Sequence, residues 1–417
     1  MVNRFILLTG LIFLCPASLQ ARRIIVGSGK AFSSIGAAIQ AAAPNDTIIV
    51  LRGIYREGNL RIRKSLVLLG EGNPVLDGES KYEIISVEAP HVTISGFELI
   101  NSGTSNVQDL AGIGAVQADY LIVQHNRFIN TYFGIHVSNT TGCVIEDNFF
   151  KAGQRQEYET GNGIHLWQCS NARIRNNHIM LHRDGIYFEF VTQSVIEGNT
   201  SSNNFRYGLH FMFSHEDDYR HNIFKQNGAG VAVMYTRKVK MEFNTFEQNE
   251  GSSVYGLLLK DISDSEVKNN IFLKNTIAIY MEGTSRTHFI RNTFKQNGYG
   301  VRLQASCDDN VFTENNFLQN TFDFTTNGML VLNKIDGNYW DKYQGYDLNK
   351  DQTGDIPYHP VNLYSMVVER VPMAVFLWRS FLVFLLDRAE RAFPAITPEN
   401  LKDNYPRMKP YDLRSSA

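Results

Sequence analysis

A short motif that begins with Asn returns every 22 to 29 residues, and this repeat constrains the fold of the chain more than any other feature. Ten copies occur, and their Asn residues are separated by 22, 29, 22, 23, 22, 26, 22, 23 and 23 residues. A nearly constant period in this range predicts a solenoid in which each repeat forms one coil. The motifs are Asn126-Arg-Phe128, Asn148-Phe-Phe150, Asn177-His-Ile179, Asn199-Thr-Ser201, Asn222-Ile-Phe224, Asn244-Thr-Phe246, Asn270-Ile-Phe272, Asn292-Thr-Phe294, Asn315-Asn-Phe317 and Asn338-Tyr-Trp340.

A Gly followed by a branched apolar residue keeps step with the Asn motif, usually eight or nine residues after it. After each Gly, apolar and variable residues alternate, which is the pattern of a β-strand with one buried face. In two coils the offset is fifteen and twelve residues, so we expect loops at about 151–160 and 250–254. The pairs are Gly134-Ile135, Gly163-Ile164, Gly185-Ile186, Gly208-Leu209, Gly230-Val231, Gly256-Leu257, Gly300-Val301 and the variant Ala278-Ile279.

Coils of this length, with Asn and Gly at the bends and β-branched or aromatic residues inside, predict an all-β fold, namely a right-handed parallel β-helix. We expect about twelve coils over residues 52–340. An N-terminal cap with a short helix, over residues 22–51, would cover the first coil. Stacked Asn side chains would satisfy the bends, and stacked Phe rings would fill the core.

Residues 1–21 predict a secretory signal peptide, because Arg4 precedes an apolar run that is too short to span a bilayer. Cys15 in this segment follows Leu14, which is a poor match to a lipoprotein signal. We therefore expect export without lipidation. The formal net charge of −2 gives no electrostatic reason to expect a nucleic-acid partner.

Three cysteines follow the signal segment: Cys143, Cys169 and Cys307. Cys169 and Cys307 occupy a column that other coils fill with residues such as Thr140 and Ser214. Six coils, or roughly 29 Å, separate these two cysteines, which excludes a disulfide between them. We expect all three to be buried, structural thiols.

Positions two and four after each Gly point outward on the predicted strands, and there the chain carries imidazole, thioether and aromatic side chains. Because adjacent coils are about 4.8 Å apart, these side chains would form one exposed face. Imidazole and thioether groups suit Cu(I), so one interpretation is a copper-binding surface. A carbohydrate-binding surface and a plain protein-contact surface remain open as alternatives. The candidate copper ligands are His136, His165, His210, Met212 and Met234.

An enzymatic interpretation requires carboxylates on that face, because parallel β-helix enzymes that act on uronans use clustered Asp side chains to move protons. Residues 207–215 occupy the frame of the Tyr-Gly-Phe/Ile-Asp-Pro-His-Asp motif of mannuronan epimerases, but His210, Phe211 and Met212 replace its Asp, Pro and His. The acid and the base are missing, so we expect no catalysis. A polysaccharide epimerase or lyase, or a carbohydrate-binding surface protein, remains the alternative function.

An acidic segment, residues 341–362, follows the last coil. Part of it places oxygen-bearing side chains at alternate positions, as calcium-binding loops do, although no Glu closes the loop. A calcium site and a polar turn that ends the solenoid are both compatible with this pattern. The candidate calcium ligands are Asp347, Asn349, Asp351 and Asp355.

Residues 363–393 predict an apolar C-terminal helix whose central part, residues 371–386, is too short to span a membrane. Docking on a membrane-protein partner would account for its hydrophobicity, and capping of the last coil is the alternative. Residues 394–417 predict an extended tail, because they combine four prolines with mixed charge. The candidate partner-binding residues are Val371, Phe376, Trp378, Arg379, Phe381 and Phe384.

Five segments together point to a known family. They are Arg183-Asp-Gly-Ile-Tyr-Phe188, Phe205-Arg-Tyr-Gly-Leu-His-Phe-Met-Phe-Ser214, Gly337-Asn-Tyr-Trp-Asp341, Gly354-Asp-Ile-Pro-Tyr358 and Leu385-Leu-Asp-Arg-Ala-Glu390. These segments closely resemble the NosD family of periplasmic accessory proteins for nitrous oxide reductase maturation. The resemblance covers nearly the whole chain after the signal segment.

The resemblance implies a non-catalytic periplasmic protein that works with an ABC transporter, made of a cytoplasmic ATPase and a membrane permease, and with a copper chaperone lipoprotein. Together these proteins would supply copper to apo nitrous oxide reductase. On this basis residues 371–386 contact the permease, which is the chain's only link to the membrane. The face from His136 to Met234 would then point toward the chaperone or the reductase, and would hold copper only transiently.

Overall fold

The computed structural model describes residues 21–105, 107–153, 156–251, 254–328, 332–378, 380–392 and 401–412. Residues 1–20 of the predicted signal peptide and Arg379 of the predicted partner site lie outside this range. Short strands follow one another around each coil and stack into three parallel sheets. The fold is a right-handed parallel β-helix of about 13 coils, which confirms the predicted fold and adds one coil to the expected number.

Each sheet runs along the solenoid, and neighbouring strands within it come from successive coils. The first sheet contains Arg23–Val26, Thr47–Leu51, Val67–Glu71, Thr93–Ser95, Ile122–Gln124, Val144–Glu146, Arg173–Arg175, Val195–Glu197, Asp218–Arg220, Lys240–Glu242, Glu266–Lys268, His288–Ile290, Val311–Thr313 and Lys334–Ile335. The second contains Ile54–Tyr55, Val75–Asp77, Glu98–Ile100, Arg127–Ile129, Phe149–Lys151, His178–Met180, Thr200–Ser202, Ile223–Lys225, Thr245–Glu247, Ile271–Leu273, Thr293–Lys295, Asn316–Leu318 and Tyr339–Trp340. The third contains Leu60–Ile62, Ile85–Val87, Ala111–Val116, Phe133–Ser138, Ile164–Trp167, Ile186–Glu189, Tyr207–Met212, Ala229–Met234, Tyr255–Lys260, Ile277–Glu282, Tyr299–Leu303 and Phe322–Thr326.

The repeated Asn residues lie at the bend between the first and second sheets and form a ladder of buried amides. Asn270 is representative, because its Oδ1 accepts hydrogen bonds from the backbone N and from Nδ2 of Asn244 at 2.9 and 3.1 Å. Its own Nδ2 donates to the Met241 carbonyl at 2.7 Å and to Asn292 Oδ1 at 3.0 Å. The ladder therefore satisfies the buried polar groups of each bend, as the repeat predicted.

A second amide ladder, which we did not predict, lies at the bend between the second and third sheets. Here the backbone N–H of each member except the last, Asn320, donates to the side-chain oxygen of the member in the next coil. The sequence does carry the signal, because each member follows a first-ladder Asn by five residues. The members are His182, Asn204, Asn227, Asn249, Asn275, Asn297 and Asn320.

His182 begins the second ladder, and it makes the stability of the fold depend on pH. Burial lowers the pKa of His182 to about 4, whereas an unfolded His titrates near 6.5. The unfolded chain therefore binds the extra proton first, and the folded state loses stability as the pH falls from about 6.5 toward 4. At pH 5 the loss from this residue should be about 2 kcal/mol. Denaturation midpoints at pH 7 and pH 5 test this prediction, since His182→Asn should remove that part of the pH dependence.

Aromatic rings fill the core at the second sheet. From Phe224 to Trp340 six rings follow one another, with centroids 4.2 to 5.6 Å apart. All six are buried. The stacked Phe core is therefore confirmed, and it continues across the six coils that follow the coil of Ser201.

The N-terminal end is closed by helix α1, Ile35–Ala41, which buries Ile35, Ala38 and Ile39 against the first coil. The Glu57 side chain caps this helix, because its carboxylate accepts hydrogen bonds from the backbone N–H groups of Ile35 and Gly36, each at 2.8 Å. A carboxylate at this helix end is also favoured by the helix dipole.

The predicted C-terminal helix is broken into three elements rather than continuous. Helix α2 spans Leu363–Arg370, a 3-10 helix spans Pro372–Leu377, and helix α3 spans Phe381–Ala392. Pro372 explains the break, because proline has no N–H to continue the hydrogen bonds of α2. Glu369 of α2 accepts two hydrogen bonds from Arg302, at 2.7 and 3.0 Å, and this ion pair fixes α2 to the third sheet.

The described part of the tail, residues 401–412, returns to the solenoid and closes its C-terminal end. Buried Asp403 accepts hydrogen bonds from the backbone N–H groups of Gly337 and Asn338, each at 2.8 Å, and from Trp340 Nε1 at 2.9 Å. Asp403 thus takes the place of the next Asn in the first ladder. The tail was predicted only as extended, and its role as a cap is a finding of the structure. No described helix has the length and apolar character needed to cross a membrane.

Candidate functional site

The outward side chains of the third sheet place the predicted copper residues in adjacent coils. We call the group His136, His165, Tyr187, His210, Met212 and Met234 the histidine face. The sheet register pairs His136 with His165, Tyr187 with His210, and Met212 with Met234. The His136 and His165 ring centroids are 4.8 Å apart. Tyr187 lies between His165 and His210, with its ring centroid 4.7 Å from each.

The histidine face is less exposed than the alternation pattern predicted. His210 is only 5% exposed, because it packs between the rings of Tyr187 and Tyr207, whose centroids each lie 4.7 Å away. His136 and His165 are half-buried, and the Phe133 ring lies 5.7 Å from both. The expectation of an open surface is therefore wrong at His210. Large neighbouring side chains cover it, and strand periodicity does not report them.

Two buried polar residues belong to this face and were missed by sequence reasoning. Asp184 and Asn162 are each 1% exposed and occupy the position before the Gly that leads each strand. Asp184 Oδ2 lies 3.5 Å from Nδ1 of His210, and its Oδ1 accepts a hydrogen bond from the backbone N–H of Tyr207 at 3.3 Å. Both side-chain polar atoms of Asn162 lack a partner in the described protein. Strand alternation after each Gly does not report the column that precedes the Gly, to which both residues belong.

Burial keeps two of the imidazoles neutral at physiological pH. Burial lowers the pKa of His136, although the charge of Asp109 acts in the opposite direction. Burial also lowers the pKa of His165 well below its ordinary value, and the positive charges of His136, Arg183 and His210 act in the same direction. A neutral imidazole has a free lone pair, which is the form that binds a metal ion.

Within the described residues, no group of three or more His, Cys, Asp or Glu side chains has an arrangement that could hold a metal ion. The histidine face offers a pair of imidazoles at one end and one imidazole with two thioethers at the other. Imidazole and thioether ligands suit soft Cu(I) better than hard cations. The face can therefore hold Cu(I) only through sites of low coordination number that include Met sulfur or two imidazoles.

The predicted calcium loop uses its oxygens for its own turns. Asp347 accepts hydrogen bonds from the backbone N–H groups of Asp351 and Gln352. Asn349 and Asp355 also accept backbone hydrogen bonds, from Asp351 and Leu348. The structure gives the calcium hypothesis no support, and the polar turn accounts for these residues.

The three cysteines are buried free thiols, as predicted. Burial raises the pKa of Cys143, and burial raises that of Cys169 to about 11. Such thiols are not ionised near pH 7, so they are poor nucleophiles and poor ligands.

The C-terminal elements present apolar side chains to solvent. Phe376 is 80% exposed and Phe381 is 73% exposed, while Tyr364 and Val368 of α2 pack against Phe322 of the third sheet. The inner side of the segment therefore holds it to the solenoid, and the outer side is free. Four of the six predicted partner-binding residues lie on that exposed side, namely Val371, Phe376, Phe381 and Phe384. The Trp378 ring packs instead against Phe322 and Tyr364, with centroids 5.3 and 5.8 Å away. Arg379 is outside the described residues.

Comparison with known structures supports the fold. The catalytic domain of a GH87 α-1,3-glucanase in complex with nigerose has a TM-score of 0.62 at 10% identity, covering 77% of this chain and 69% of that one. The family 28 exopolygalacturonase of Yersinia enterocolitica has a TM-score of 0.54 at 11% identity, covering 76% of this chain and 78% of that one. At such low identity these similarities show the fold alone.

Sequence comparison shows similarity to NosD proteins. A family model described as "Periplasmic copper-binding protein (NosD)" matches residues 151–345. Two proteins named "Probable ABC transporter binding protein NosD" align over 378 residues. The Stutzerimonas stutzeri protein is 28% identical, covering 85% of each chain. The Pseudomonas aeruginosa protein is 26% identical, covering 84% of this chain and 86% of the relative. The chain is thus similar to NosD proteins over most of its length, and to the family model over residues 151–345.

Proposed function

We propose that this chain is a periplasmic copper-binding accessory protein that associates with an ABC transporter and has no catalytic activity of its own. The family description and the names of the two relatives support the metal, the compartment and the transporter. The observation that carries the proposal is the histidine face, where neutral imidazoles and two thioethers lie within adjacent coils.

Copper is the cargo of the protein in this proposal rather than a resident cofactor. A copper chaperone lipoprotein supplies it to the histidine face, and apo nitrous oxide reductase receives it. The soft and neutral character of the ligands favours Cu(I), which can be passed on by exchange of ligands between two partners. The half-buried position of His136 leaves its imidazole within reach of a partner.

A competition titration with a Cu(I) chelator tests the copper proposal. The wild-type protein should bind Cu(I) stoichiometrically. A triple variant with His165→Ala, His210→Ala and Met212→Ala should bind at least 100-fold more weakly, because it removes ligands at both ends of the face. His288→Ala, on the first sheet, is the matched control and should bind as the wild type does. Failure of the wild type to bind Cu(I) would contradict the proposal.

The exposed side of the C-terminal elements is proposed to dock on the permease of the transporter, whose ATPase lies on the cytoplasmic side. An Arg302–Glu369 ion pair holds α2 against the solenoid, while Phe376 and Phe381 in the elements that follow are exposed. A double variant with Phe376→Asp and Phe381→Asp should reduce retention of the permease in detergent at least tenfold. Ile54→Asp, at a 63% exposed site near the opposite end of the solenoid, should not. Equal retention by all three proteins would argue against this docking.

An enzymatic alternative requires more than the single carboxylate of Asp184 near His210. The fold similarity to polysaccharide-degrading enzymes does not supply a second carboxylate, because that similarity extends to architecture only. We expect no turnover of polyuronates and no retention of them on the purified protein. Turnover that Asp184→Asn abolishes would instead identify a catalytic site on this face.

A further inference from the structure

Tyr187 divides the histidine face into two parts. His165 and His210 are two coils apart, which corresponds to roughly 9.6 Å. The ring of Tyr187 fills the space between them, with its centroid 4.7 Å from each imidazole. One metal ion cannot bind both imidazoles unless Tyr187 moves out. The pair His136 and His165 and the single His210 therefore belong to different sites.

His210 shares its strand and the next strand of the sheet with two Met residues rather than with the other imidazoles. Met212 follows it by two residues on the strand Tyr207–Met212, so both side chains lie on the same side of the sheet. Met234 is the register partner of Met212 in the next coil, at about 4.8 Å between strands. The register thus places one imidazole residue and two thioether residues on the same face of two adjacent coils.

Asp184 sets which nitrogen of His210 can bind a metal. Its Oδ2 lies 3.5 Å from Nδ1 of His210, and in the described protein neither His210 nitrogen has a hydrogen-bond partner at shorter range. A carboxylate beside Nδ1 favours the tautomer with the proton on Nδ1, which leaves the lone pair on Nε2. A carboxylate behind an imidazole in this way orients metal-binding histidines and makes them more basic.

Tyr187 competes with a metal ion for the sulfur of Met212. Its hydroxyl donates a hydrogen bond to Met212 Sδ at 3.4 Å. For the sulfur to bind a metal ion, this hydrogen bond has to break and the hydroxyl has to turn to water or to another acceptor. No covalent bond and no electron is transferred, so Cu(I) enters and leaves as Cu(I).

We infer that His210 Nε2, Met212 Sδ and Met234 Sδ form one Cu(I) site, with Asp184 as its positioning residue and Tyr187 as a competitor for the Met212 sulfur. The inference rests on the proposed function and names the ligands of the copper site. The two substitutions it highlights should act in opposite directions. Removing the support of Asp184 weakens copper binding, whereas removing the Tyr187 hydroxyl strengthens it.

Cu(I) affinities of single variants, measured by chelator competition, test this inference. Asp184→Leu should weaken binding by about 10- to 100-fold, and Asp184→Asn, which keeps an acceptor without the charge, by about fivefold. Tyr187→Phe should tighten binding about threefold, because the thioether no longer has to give up a hydrogen bond. Asp217→Asn is the control, since Asp217 is equally buried but accepts its hydrogen bond from Ser194 at a bend. Thermal melts show whether each variant is folded, and the Asn and Phe variants suffice if the Leu variant is not. Weaker binding by Tyr187→Phe would overturn the inference.

X-ray absorption of the Cu(I)-loaded protein identifies the ligand atoms directly. We expect sulfur and nitrogen neighbours in the wild type, with fewer sulfur neighbours in Met234→Leu. Nitrogen neighbours alone, unchanged by that substitution, would place the ion at His136 and His165 and overturn the inference while leaving the proposed function intact. Absence of Cu(I) binding in the titration would overturn the proposed function itself.

Discussion

Asn270→Ala should lower the free energy of unfolding by about 4 kcal/mol. The substitution removes four hydrogen bonds, two that the Asn270 side chain donates and two that it accepts. Each buried hydrogen bond contributes about 1 kcal/mol net, and a donor left without a partner costs more. The methyl group of Ala cannot form hydrogen bonds, so the former partners of the amide are left unpaired. They include the backbone N–H of Asn244.

Equilibrium denaturation of the wild type and the variant tests this expectation. The two midpoints report a difference in stability if the slope of the unfolding free energy against denaturant concentration is the same for both proteins. The neighbouring substitution Ile271→Ala is the matched control, because Ile271 is exposed at the start of the adjacent strand. It should change stability by less than about 1 kcal/mol. An equally small effect of Asn270→Ala would mean that water enters the bend and replaces the lost hydrogen bonds.

Asp403→Ala should have a comparable effect, concentrated at the C-terminal end of the solenoid. Its carboxylate accepts hydrogen bonds from Gly337, Asn338, Trp340 and Tyr405. Hydrogen bonds to a charged group contribute about 1.5 to 3 kcal/mol each. Water will replace some of these hydrogen bonds at a chain end, so we expect the free energy of unfolding to fall by about 4 kcal/mol. Residues 401–412 should then detach from the last coil.

Limited proteolysis and tryptophan fluorescence report this detachment. Cleavage within residues 401–412 should become faster in Asp403→Ala, and emission from Trp340 should shift to longer wavelength as its indole N–H loses the carboxylate. Lys409→Ala, at an exposed site in the same segment, should behave as the wild type does. Unchanged cleavage in Asp403→Ala would show that other tail contacts are enough to close the solenoid.

The fold could be predicted from the sequence because every coil repeats the same physical requirements. Each bend needs a side chain that both donates and accepts hydrogen bonds, and Asn meets that requirement in ten coils. The ends of the solenoid do not repeat and were harder to predict. Asp403 closes the Asn ladder from 65 residues further along the chain than Asn338, and no local pattern links two such distant residues. The break at Pro372 was visible in the sequence but was outweighed by the apolar run around it.

The site was predicted only in part. Strand alternation and the coil period identified which side chains share a column, and they placed Met212 beside Met234 correctly. They could not show that Tyr187 separates the imidazoles or that Tyr207 buries His210, because these effects depend on how large side chains pack between coils. The partnership of Asp184 with His210 joins two different columns, so it appears only in three dimensions.

The regular stacking of coils also fixes the distances between sites along the solenoid. Along the third sheet, the strand Tyr207–Met212 lies five coils from the strand Phe322–Thr326, on which α2 packs, and five coils span roughly 24 Å. Because coils can be added or removed without changing their neighbours, the number of coils sets the distance between the histidine face and the C-terminal elements. Removing residues 271–292, one whole coil, should bring the two closer by about 4.8 Å and leave each intact. In the proposed function, this is the distance between the copper site and the permease.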